Sequence, residues 1–118
     1  MRFLLLMAEA DHFDKWEAAD DAHRERVYAD FRAFDEAVRT RGSIVGGDAL
    51  DRPSSARTVL PGDGRPVTDG PYAETVEQVS GFFIVECDDL DTVVEAARLM
   101  LEGHNRLEIR PRPTEDQS

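Results

Sequence analysis

The chain has 118 residues, 41% of them hydrophobic and 33% charged, with a formal net charge of −11, and one domain of this length can bury a core without covalent staples. Phosphate backbones and anionic membranes repel so acidic a surface, so neither nucleic acid nor a membrane is expected as a partner. Cys87 is the only cysteine, which excludes an internal disulfide and a Cys-pair metal site and fits a reducing, cytoplasmic compartment.

The chain opens with "RFLLLMA", an apolar run too short for a membrane helix and followed by no small-residue cleavage site. It reads as a central strand covered on at least one face. A polar stretch, "EADHFDKWEAADD", comes next. A helix is expected from about Asp21 to Arg41, because Val27, Phe31, Phe34 and Val38 form one apolar stripe. Asp20 suits its N-cap, Arg39 and Arg41 its last turn, and Gly42 a left-handed C-cap. "SIVGGDAL" reads as the second strand, with a bulge or close backbone approach at its glycine pair. "ARTVL" reads as a third strand, "PGDGR" as a turn leading into "PVT". In "SGFFIVEC", the firmest strand, Phe82 and Ile84 face one way and Phe83 and Val85 the other. Asp89 can cap a second helix over about Leu90–Glu102, whose stripe is Leu90, Val93, Val94, Ala97 and Leu101 and which ends at Gly103. "NRLEIRP" is the last strand, with Leu107 and Ile109 inward.

The order β-α-β-β-loop-β-α-β makes an α+β domain over residues 1–112, with a disordered tail at 113–118. Both helices on one face of an antiparallel sheet give a ferredoxin-like βαββαβ plait. The other face needs cover, and a second copy supplies it as a homodimer, a dimeric α+β barrel.

"DGPYAETVEQVSGFFIVE" resembles the signature of the YCII-related family, in its DGPF branch. "RFLLLM", "RAFDEAVRTRG", "IVGGDAL", "DDLDTVVEAA" and "LEIRP" extend the likeness over nearly the whole chain. Asp48 stands where the family usually has glutamate, Tyr72 replaces its phenylalanine, and Val76 replaces a frequent lysine. The resemblance implies a dimer of ferredoxin-like protomers, each with a small cleft. It also implies a stress or regulatory context, since DGPF members are often encoded beside extracytoplasmic-function sigma factors. Some relatives in the wider group use a His–Asp pair for proton transfer.

Asp69-Gly70-Pro71 forms a stiff turn: proline fixes φ, glycine takes an unusual angle, and the aspartate can accept amide hydrogens. A rigid loop of this kind can also present Tyr72, Glu74 and Glu77 to a ligand. Glu74 and Glu77 lie three apart, so a helical turn would put both on one face, where crowding raises their pKa values. The competing reading is a solvated acidic turn. His23 sits on the inner stripe at a helix start, where the dipole favours a neutral imidazole; the alternative is a histidine at the core edge. Asp48 is its candidate carboxylate partner. Together His23, Asp48 and Glu74 are the candidate catalytic groups, and Asp69, Tyr72, Glu77 and Arg110 the candidate ligand contacts. His12 and His104 each sit alone in a polar loop, and no HxH or HExxH spacing points to a metal. Phe13 and Trp16 seal the barrel end or form an aromatic lid. No cofactor motif occurs. Two functions follow: a small-molecule-binding homodimer, or a cofactor-independent lyase or isomerase working by His/carboxylate acid–base chemistry.

Overall fold

A computed structural model describes residues 1–72, 77–100 and 106–113, the side chain of Glu77 excepted. The elements are β1 (Arg2–Ala10), α1 (His12–Ala18), α2 (Asp21–Arg39), β2 (Gly42–Ala49), β3 (Arg57–Val59), β4 (Val67–Asp69), β5 (Glu77–Cys87), α3 (Leu90–Ala97) and β6 (Arg106–Pro111). Four strands form one antiparallel sheet in the order β2-β5-β1-β6. This α+β arrangement is compatible with a ferredoxin-like plait.

Alternation along β1 divides the sheet into two unequal faces. Phe3, Leu5 and Met7 are buried under the helices, while Leu4, Leu6 and Ala8 on the opposite face are only half-buried. Phe3 and Leu5 join Phe34 and Val38 of α2, Val85 of β5, and Val93 and Ala96 of α3 in one cluster. Phe34 stacks on Phe83 at 5.5 Å, and Leu107 and Ile109 of β6 pack against the cluster as the alternation in "NRLEIRP" requires. Fully burying one such side chain contributes about 1.5–3 kcal/mol.

The helix starts are as expected: Asp20 accepts from the His23 amide at 2.8 Å and Asp89 from the Thr92 amide at 2.8 Å. Those Thr92 hydrogen bonds, then Arg41, hold the Asp89 carboxyl below its ordinary 3.8. The stabilisation is present above the unfolded value and is lost as pH falls through the lowered one.

Four expectations need correction. The polar stretch after β1 contains a helix, α1. A left-handed Asp11 (φ 56°) turns the chain into it, and a short polar segment shows no full apolar stripe to betray it. α2 ends at Arg39, two residues before the expected end, and Gly42 is no left-handed cap. It opens β2, where a Cβ would stand 1.9 Å from the Glu86 carbonyl oxygen, so closeness to β5 requires glycine there. The third strand does not join the main sheet: among the described residues β3 pairs with β4 alone, in a separate two-stranded arm. Lastly, α3 ends at Ala97, short of the expected end near Glu102, and Leu90 is exposed while Ala96 is buried, so its inner stripe is rotated from the expected one; Leu101, Glu102 and Gly103 lie outside the described residues. The glycine pair does mark a bulge, with the β2–β5 register shifting between Ile44 and Gly46.

Candidate functional site

The helix-covered face is incompletely filled where α1 leans over the ends of β2 and β5. A cavity of about 480 Å³ opens there, walled by Met7, Phe13, Trp16, Phe31 and Phe83. Two bulges shape its floor. β1 and β5 lose register opposite Ser80, whose hydroxyl donates to the Met7 carbonyl at 3.3 Å, and β2 and β5 lose it at Val45. Gly81 and Gly47 follow these bulges, and a Cβ at Gly47 would meet the Phe82 carbonyl oxygen at 2.5 Å. The glycines thus let two strands close up beneath the cavity.

α1 is the outer wall and is tied down from both ends. Arg52, on the loop after β2, reaches Asp14 at 2.9 Å and Glu17 at 2.8 Å and lies over the Phe13 ring. The Glu17 and Asp14 hydrogen bonds raise its already high pKa, so it stays cationic. Arg24 of α2 donates to the Trp16 carbonyl at 2.8 Å and lies over the Trp16 ring, which meets Tyr28 edge-on.

Polar chemistry gathers at the end of β1. Glu9 continues the Phe3-Leu5-Met7 alternation, so its carboxylate is carried to the covered face and is only 7% exposed. A buried carboxylate needs partners to offset desolvation. Lys15 supplies one at 3.0 Å and His12 Nδ1 the other at 3.4 Å. His12 also borders the apolar cavity, so the Glu9–His12 pair stands at its rim. His12 is therefore not alone in a loop: it opens α1 and faces a carboxylate. Two signals in the sequence pointed there, the strand parity that buries Glu9 and the Phe13/Trp16 spacing of a short helix.

The residues singled out from sequence are dispersed. Asp48 borders the apolar cavity, and its carboxylate accepts from the Ala49 amide at 2.9 Å. His23 lines a second hollow with Glu9, His12 and Lys15. His23 and Asp48 border different hollows rather than one site. Tyr72 is 94% exposed and edges a third groove with Pro71, Leu50 and Val79, so it and His23 do not share a cavity. Gly70 has the unusual angle expected of it, φ 102°. Asp69 pairs with Arg57 across the arm at 3.1 Å. Arg110 lies on the open sheet face, ion-paired with Glu108 of its own strand. Glu74 and His104 lie outside the described residues, as does the side chain of Glu77.

Among the described residues no group of three or more His, Cys, Asp or Glu is placed to hold a metal ion, and no helix is long and apolar enough to cross a membrane. A family model described as the YCII-related domain matches residues 1–100. An uncharacterized protein of Rhizobium meliloti (strain 1021) is 30% identical over 100 residues, 81% of this chain and 78% of its own length.

Proposed function

The chain belongs to the YCII-related family, and on that footing we propose that it is a cytoplasmic homodimer binding a small, largely apolar molecule between α1, α2 and β5. The observation that carries this reading is the cavity of about 480 Å³, with aromatic walls and a few polar groups on its lining, His12 and Ser80 among them. Ligand sites of small molecules combine those two properties. The half-buried Leu4, Leu6, Phe82 and Ile84 on the open sheet face support the dimer, since a two-fold partner presents the same apolar patch in return. The stress or regulatory context implied by the DGPF likeness belongs to the same proposal.

Trp16, the only tryptophan, lines the cavity and reports on it. Titrating a panel of small aromatic and alicyclic compounds should give a saturable change in Trp16 emission for at least one of them. Ala49→Phe, which fills the cavity, should weaken that binding about tenfold or more. A panel without any saturable response, or binding indifferent to Ala49→Phe, refutes the reading.

A second reading, acid–base catalysis, has one observation in its favour: the Glu9–His12 pair at the cavity rim. A carboxylate that orients an imidazole beside a bound ligand is the arrangement a general base needs. The proposal moves the catalytic role from His23 and Asp48 to His12 and Glu9. Bound compounds with an acidic C–H should exchange it with deuterated solvent, and His12→Gln should abolish exchange while Trp16 still reports binding. Exchange at the wild-type rate in His12→Gln removes this reading.

A further inference from the structure

The β3–β4 arm exposes apolar surface that its own chain leaves bare. Val59 and Val67 sit directly opposite each other in the arm and are 52% and 59% exposed. The Arg57–Asp69 ion pair shares their face of the hairpin. An apolar centre with a charged rim is the usual anatomy of a contact surface. At the base of the arm lies the groove edged by Tyr72 and Val79, and Val79 is on the open face of the sheet, in register with Ala8.

We infer that the arm and the groove at its base dock against a second copy of this chain, so that the signature-loop groove becomes a composite site completed by the partner. The inference rests on the homodimer proposed above. Area favours this occupant. Four strands about 4.8 Å apart, each of roughly eight residues rising about 3.3 Å, give the open face on the order of 500 Å². A stable interface takes about 800 Å² of accessible surface from each partner, and the apolar arm beside the open face adds to what the sheet supplies. Charge favours it too. The chain as a whole carries −11, which disfavours self-association. On the open face, however, the described Arg2, Arg106 and Arg110 are balanced by Asp48, Glu86 and Glu108, and on the arm Arg57 and Arg65 by Asp63 and Asp69. Among the described residues most of the repelling charge therefore lies elsewhere, and these two surfaces can meet their own copies.

Sedimentation equilibrium over a concentration series tests this. The double substitution Val59→Glu/Val67→Glu should weaken dimerisation about tenfold or more, whereas Leu99→Glu, exposed on the helical side, should leave it within about twofold. In a Trp16→Phe background, Val59→Trp and Tyr72→Trp should each shift emission to the blue as concentration rises through the dimerisation range. A dimer indifferent to the glutamates, with both reporters in water at every concentration, overturns the inference and leaves the proposed dimer standing. If only the reporter at position 72 stays in water, the composite groove is refuted and the arm contact survives. A wild-type monomer refutes both.

Discussion

β5 and the β3–β4 arm are joined by the signature loop, yet they are held by different physics. β5 is hydrogen-bonded on both sides, to β1 and β2, and its Val85 is fully buried. The arm has two three-residue strands paired to each other, and its shape comes from backbone geometry: glycines with positive φ at Gly62, Gly64 and Gly70, and Arg65 at φ 43°. The central strand is specified by what surrounds it, the arm by what its own backbone permits. Substitutions at the two places should fail for different reasons.

The largest effect is expected where packing alone acts. Phe34→Ala empties a fully buried site stacked on Phe83 and should cost about 3–5 kcal/mol in urea unfolding. A cost under about 1 kcal/mol would mean that the covered face collapses freely and is not the rigid partner in this comparison. Next is Gly42→Ala, whose Cβ would meet β5 backbone at 1.9 Å. Strands must move apart to admit it, at about 1–3 kcal/mol, with faster exchange of the Asp88 amide, which donates to the Arg41 carbonyl, as the local sign. Gly70→Ala is the contrasting glycine. Among the described residues no atom beyond its chain neighbours lies within 4 Å of its added Cβ, so the φ of 102° is what resists it, at about 1 kcal/mol or a little more. Unchanged melting would show that the turn relaxes without loss. The smallest effect is expected at Val67→Thr on the arm, within about 0.5 kcal/mol at protein concentrations low enough to separate copies. A larger loss there would show that the arm packs on its own chain.

Much of the fold was legible because it is written locally. Asp20 and Asp89 announce helix starts, since a cap needs only its next few residues. Val27, Phe34 and Val38 fall on one face by helical period alone. Alternation in β5 and β6 follows from the pleat. The third strand misled because "ARTVL" has strand composition, and composition does not say which partner a strand will find. The candidate site was legible only in pieces. Asp48 and Trp16 do border a cavity, but His23 and Tyr72 border separate hollows.

The sequence by itself determined the periodic elements, the helix N-caps, the glycine bulge and the family, all of which depend on residues close together in the chain or on an extended motif. Tertiary structure alone decided that Gly42 is fixed by a neighbouring carbonyl, that β3 leaves the main sheet, and that Glu9, Lys15 and His12 form one cluster. Glu9 and His12 are near in sequence, but one ends a strand and the other begins a helix. They meet only because a left-handed Asp11 folds the helix back over a carboxylate that β1 has already turned inward, where burial obliges it to find a cation or a hydrogen-bond donor.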